Sequence, residues 1–252
     1  MSAVKNSGAA SMLETGADAE MPILRAARPL MTLTEQIAER IFAAITNGDY
    51  VPGERIREEM LAEQFEVSRG PVREALRMLE KDSVVRILPN RGAHVTRLSV
   101  KEVGDIFEIR RDLVGAMVRR MGDRNGTLIA GIEPEVRELE ALAKEPGAGD
   151  AYLEASIRLG RLLADGSGNE RLAEILSSLV RQTRRYSMLG LATAARRTES
   201  ARIWRAALEC LKAGDANGAA AAVESLIDTS RREAITQLEA QGRADDDVPL
   251  GR

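Results

Sequence analysis

Arg69, Arg73, Arg77 and Lys81 recur every four residues, and on a helix that spacing stacks them into one slowly drifting stripe. An arginine fork fits two acceptors at once, either phosphate oxygens or the O6/N7 edge of guanine. Near a helix start, free backbone amides and the helix dipole add positive potential. Gly70, between the first two arginines, lets a ligand approach the backbone closely. The chemistry on offer is recognition of a polyanion. A stripe of four basic residues is also a common solvated face, so its meaning depends on the elements that position it.

Those elements are legible upstream and downstream. Thr32 and Glu35 have the spacing of a capping box, and Ile37, Ile41, Ala44 and Ile45 then fall on one helical face before Asn47-Gly48 stops the run. Val51-Pro52-Gly53 predicts a turn, and residues 58–65 a short helix with Leu61, Ala62 and Phe65 inward. Val67-Ser68 is the next break. Ser68 is placed to cap a third helix, with Pro71 in its first turn and Val72, Ala75, Leu76 and Leu79 as its apolar face. Two short β-prone runs, 84–88 and 93–96, are joined by Pro89-Asn90-Arg91-Gly92, a hairpin signal with Arg91 at the tip. Three helices and a hairpin outline a winged helix-turn-helix over residues 30–97. His94, the sole histidine, reads as an ordinary strand residue.

The net charge of −3 argues against bulk attraction to nucleic acid, but the charge is unevenly spread. Residues 67–97 hold Arg69, Arg73, Arg77, Lys81, Arg86, Arg91 and Arg97 against only Glu74, Glu80 and Asp82. The preceding stretch, 30–66, is acidic. Hydrophobic residues make up 44% of the chain and aromatic residues only 3%, so the core must be aliphatic, which favours helices. A lone cysteine, Cys210, set among leucines, predicts an inert core thiol and fits a reducing cytoplasm. No apolar run is long enough to span a membrane, and the N-terminus has no secretory pattern.

Beyond Val100 the strand signal ends. Helical periodicity recurs around 101–121, 133–144, 150–165, 169–192, 197–213 and 216–239, with loops expected at 122–126, 146–149 and 166–168. The predicted fold is mainly α: a winged helix-turn-helix followed by an all-α bundle of about six helices over 100–240. Residues 1–28 read as a flexible arm and 241–252 as a loose tail.

The runs Pro52-Gly53-Glu54-Arg55-Ile56, Leu61-Ala62-Glu63, Val67 to Leu76 and Pro89 to Val95 together resemble the DNA-binding domain of GntR-family regulators. The second half is similar to the helical FCD-type domain of the FadR-like branch, closer to its VanR-like variant, on Glu108-Ile109-Arg110-Arg111, Gly168-Asn169 and the closing Ala-rich helix. The resemblance implies a homodimer that binds a short inverted repeat in double-stranded DNA, through Ser68, Arg69, Gly70, Arg73, Arg91 and Gly92, with Arg55 a weaker candidate. It implies a repressor released by a small metabolite in the helical domain, which is also the dimerisation domain. It departs after the third helix, where the family's usual glycine is Ser83, a change expected to tighten or strain that turn.

A larger departure lies in the sensor. Many domains of this branch hold a divalent metal with one aspartate and three histidines; the corresponding positions here are Ser156, Gly160, Trp204 and Leu226. No metal or other cofactor is expected. Trp204 either plugs the space or lines a pocket for a less polar ligand, an organic acid or a larger apolar acid. Arg110 takes the family's arginine slot and is the first choice of anion anchor, its alternative being a salt bridge with Glu108, Asp112 or another helix. Arg181, Arg184, Arg185 and Tyr186 read either as contributors to that pocket or as an exposed basic face. The competing reading is a constitutive DNA-binding dimer whose sensor has degenerated, or one controlled by a protein partner. No nucleophile–base pair or phosphate-binding glycine loop points to an enzyme.

Overall fold

The computed structural model describes residues 31–121 and 126–246. The arm expected over 1–28 and most of the 122–126 loop lie outside the described residues. The closing helix runs through 246, so the tail expected to loosen at 241 is helical over its first six residues.

The first unit is built from α1 (Leu33–Asn47), β1 (Arg55–Ile56), α2 (Glu58–Gln64), α3 (Arg69–Lys81), β2 (Val85–Leu88) and β3 (Gly92–Val95). The Thr32–Glu35 capping box is present in full, and Gly48 closes α1 in the left-handed conformation. The α3 face is buried as its periodicity requires, through Val72, Ala75, Leu76 and Leu79. Ser68 occupies the N-cap, but its hydroxyl makes no capping hydrogen bond, contrary to the cap read from the sequence. Ser83 adopts a φ of 55°, so the strain expected at the missing glycine is there.

The sheet has three strands in the order β1-β3-β2, both pairings antiparallel. β1 has no counterpart in the sequence reading. Two residues carry no periodicity, and this strand exists only because Arg55 and Ile56 pair with His94 and Ala93. Ile56, Val85, Ala93 and Val95 then join the helices in one core with Ile37, Ile41 and Leu61.

The second unit is all helical: α4 (Val100–Arg120), α5 (Gly126–Leu142), α6 (Gly149–Ser167), α7 (Glu170–Gly190), α8 (Ala194–Lys212) and α9 (Ala216–Asp246). Ser99 and Glu102 form a second capping box at the start of α4. Its main core gathers Met117, Leu139, Tyr152, Leu159, Leu208 and Val223. α5 begins seven residues earlier than the sequence suggested and runs through Pro134, which local rules place at a helix start. Cys210 is partly buried against this core. Among the described residues no helix is long and apolar enough to cross a membrane.

Candidate nucleic-acid interface and ligand cavity

The N-terminal end of α3 stands clear of the core. Arg69, Arg73 and Arg77 keep 61%, 54% and 58% of their side-chain surface. Each is held by a carboxylate of the same unit. Arg69 pairs with Glu59 at 2.9 Å, and Arg77 donates to Glu74 at 2.7 Å. Arg73 donates through Nη2 and Nε to one oxygen of Glu58, at 3.0 and 3.2 Å. These exposed pairs are weak and exchange readily for a phosphate or base. Ser68, free of the capping role, and Gly70, where a Cβ would meet only the Ser68 Oγ at 3.9 Å, sit at the same end.

The hairpin follows α3 and is tied to its C-terminal turn, where the Ile87 N–H donates to Glu80 Oε1 at 2.9 Å. Asn90 and Gly92 both take positive φ, 60° and 82°, which turns the chain tightly and leaves Arg91 exposed at the tip. Arg55 reaches the same turn from β1: a Cβ on Gly92 would stand 3.6 Å from its Nε. His94 sits in β3 opposite Arg55 and Arg86, as an ordinary strand residue. Ser68, Arg69, Gly70 and Arg73 thus share the start of α3, while Arg55, Arg91 and Gly92 share the wing.

A cavity of about 530 Å3 is lined mainly by helices of the second unit. Ser156, Gly160, Trp204 and Leu226, the positions that correspond to metal ligands elsewhere, all line it. They do not fit a metal, since Ser156 offers one hydroxyl and the other three no ligand atom. Among the described residues no three His, Cys, Asp or Glu side chains converge as a metal-binding group. Trp204 is buried in the cavity wall without filling the space, and its indole N–H has no partner, nor does the Ser156 hydroxyl.

Arg110 also lines the cavity and is 8% exposed. Its Nη1 donates to Thr183 Oγ1 at 2.7 Å and Ser187 Oγ at 3.3 Å, and its Nε has no partner. The guanidinium lies 4.7 Å from the Phe107 ring centre. Among the described residues no carboxylate pairs with it. The salt bridges considered for Arg110 belong to Arg111, which contacts Glu108, Asp112 and Asp228. Burial alone lowers the pKa of Arg110 to about 10.

Tyr186 does not line this cavity. It is buried with Val103, Phe107 and Ala234, and its hydroxyl accepts the backbone N–H of Leu98 at 3.2 Å, in the link between the two units. Arg181 and Arg184 are not an exposed basic face either. Both line the cavity, with 24% and 13% of their side-chain surface exposed. A further buried arginine, Arg197, escaped the sequence reading; it donates to the carbonyls of Leu191, Ala192 and Glu145 at 3.1–3.2 Å.

Comparison with known proteins bears on both units. Residues 33–95 match the model for bacterial regulatory proteins of the gntR family, and residues 105–229 match the FCD domain. The chain belongs to the GntR family. YdhC, an HTH-type transcriptional regulator of Bacillus subtilis, is 32% identical over 142 residues, which cover 56% of this chain and 63% of YdhC. The gluconate operon repressor of Bacillus licheniformis is 34% identical over 90 residues, 36% of this chain and 37% of that protein. The chain thus aligns with less than two thirds of the length of these relatives. Among solved structures, Escherichia coli McbR/YncC superposes with a TM-score of 0.72 at 19% identity, covering 83% of this chain and all of that one. A GntR regulator from Rhodococcus sp. RHA1 gives 0.67 at 20% identity, covering 81% and 97%. These two show that the GntR chain shares a fold across both units.

Proposed function

We propose that this GntR-family chain is a homodimeric transcription repressor of the cytoplasm that binds a short inverted repeat and is released by an organic acid held in its helical unit. The observation that carries the DNA-binding half is the exposed arginine-rich start of α3 together with a wing whose tip is also arginine. In a helix-turn-helix this end of the second helix enters the major groove, and Ser68, Arg69, Gly70 and Arg73 are placed to read it. Arg91, with Arg55 and Gly92 beneath it, contacts backbone or minor groove.

Duplexes selected from a random pool by the full-length protein are expected to share an inverted repeat. Their affinity is expected to fall steeply with salt, as phosphate contacts require. Selected sites with a single half-element, bound by a monomer in sedimentation, contradict the dimeric reading.

For the sensor, a buried arginine without a carboxylate partner, set beside a largely apolar cavity, favours one carboxylate on an apolar body. The cavity persists beside Trp204, which favours a working sensor over a degenerate one. Trp204 is the only tryptophan in the chain, so its fluorescence reports the cavity alone. Aromatic and aliphatic monocarboxylates are expected to change that emission saturably, whereas neutral amides of the same shape leave it unchanged. Equal response to acid and amide removes Arg110 from the reading. Zinc, nickel or manganese added to chelator-treated protein is expected to leave its melting temperature unchanged, because a metal bound only by the folded state raises it by mass action. A clear rise of several degrees overturns the metal-free assignment.

A further inference from the structure

The cavity is not closed by the helical unit alone. Glu39, Phe42, Ala43, Thr46 and Asn47 of α1, in the DNA-binding unit, form part of its wall together with α7. Phe42 is itself part of the DNA-binding unit's core, so its position is tied to the helices that carry α3.

Arg181 spans this seam. Its Nη1 donates to Glu39 Oε1 at 2.7 Å, and its Nε lies 2.8 Å from Asp82 Oδ2, the residue that caps the C-terminal end of α3. Its guanidinium carbon stands 4.1 Å from the centre of the Phe42 ring, with that of Arg184 at 5.9 Å on the same ring. One side chain thus holds α1 by charge and ring face, and the recognition helix by its end. The same α7 holds Arg110 through Thr183 and Ser187, and the inter-unit link through Tyr186.

We propose that the cavity is a binding site shared by both units for an amphipathic acid, its carboxylate on Arg110 and its apolar end against Phe42, and that Arg181 is the latch which reports occupancy to α3. The proposal rests on the acid-sensor reading above and adds to it the second wall and the route. A chain that reaches Phe42 competes with Arg181 and Arg184 for the ring face. Displacing Arg181 breaks its hold on Glu39 and Asp82 together, and α3 loses its fixed orientation relative to the helical unit. The pairs are partly exposed and individually modest, so a small-molecule ligand can shift them.

The test uses full-length protein, the selected duplex, and straight-chain acids from hexanoate to dodecanoate with phenylalkanoates alongside. Binding is read from Trp204 emission and DNA affinity from fluorescence anisotropy. Coupling is the ratio of DNA affinities without and with saturating acid, expected at about tenfold for the longer acids. Short acids are expected to perturb Trp204 yet release little DNA. Asp82 lies outside the cavity, so Asp82→Asn is expected to bind acids as the parent does while its coupling falls to about twofold or less. Arg181→Gln is expected to lose coupling in the same way, with DNA affinity held near that of the acid-bound parent. Full coupling in Asp82→Asn overturns the latch and leaves the acid site standing. Release that does not depend on chain length overturns the Phe42 wall. A Trp204 signal that no acid changes overturns the acid reading, and this proposal with it.

Discussion

Replacing Arg69 or Arg73 with alanine is expected to weaken binding to the selected duplex by about 1–3 kcal/mol each, the range for a lost bidentate base contact. Both side chains are more than half exposed, so their removal leaves the α3 core of Val72, Ala75, Leu76 and Leu79 intact. In the free protein Arg69 is paired with Glu59 and Arg73 with Glu58, and these pairs must open before DNA is engaged. An exposed ion pair contributes only about 0–1 kcal/mol, so the exchange favours the duplex. Salt dependence separates the two kinds of contact. A variant that has lost a phosphate contact shows a slope of log affinity against log salt shallower by about 0.9, while one that has lost a base contact keeps the slope and tolerates substitutions at one operator position. Glu58→Gln, which frees Arg73 without removing it, is expected to raise affinity for any duplex. If both alanine variants bind the selected duplex as tightly as the parent, α3 is not the reading helix.

The architecture of the DNA-binding unit was legible because each element declares itself locally. The capping box at Thr32, the four inward residues of α3 and the turn at Asn90-Arg91-Gly92 depend on neighbours within a few positions, and all are present. What stayed hidden depends on partners distant in the chain. β1 is a strand only through its pairing with β3. Pro134 satisfies the rule for a helix start, but packing of Ile132 and Val136 in the core carries α5 through it. Helical spacing shows that Arg181 and Arg184 share a polar face, and cannot show that α1 of the other unit covers it. Arg110 and Arg111 are adjacent, and both lie within three residues of Glu108 and Asp112. Only their 100° separation around α4 sends one to the carboxylates and the other into the cavity. The sequence therefore pointed to the arginine that the cavity buries, while the salt bridges it weighed for that residue belong to the one beside it.

Two buried arginines of this unit should respond to the same substitution with opposite signs. Arg197 is 3% exposed and directs its donors at three backbone carbonyls, those of Glu145, Leu191 and Ala192. Such oxygens at or just beyond helix ends carry partial negative charge that suits a cation. Arg197→Met strands them, at about 1–3 kcal/mol for a buried acceptor left unmade, and melting is expected to fall by several degrees. Arg110 has only two hydroxyls, and Thr183 Oγ1 keeps a second bond, to Leu179 O at 2.7 Å, when the arginine is gone. A guanidinium desolvated against so little is a net burden on the fold, so Arg110→Met, of similar length and apolar, is expected to melt at the same temperature as the parent or higher. A residue that burdens the fold in this way is characteristic of a ligand site. The same melts carry the functional half of the argument: a monocarboxylate that raises the parent's melting temperature should leave Arg110→Met unmoved. A fall of several degrees for Arg110→Met without ligand makes Arg110 a structural residue like Arg197. The anion anchor would then have to be sought at Arg184, whose partner Glu154 already neutralises it.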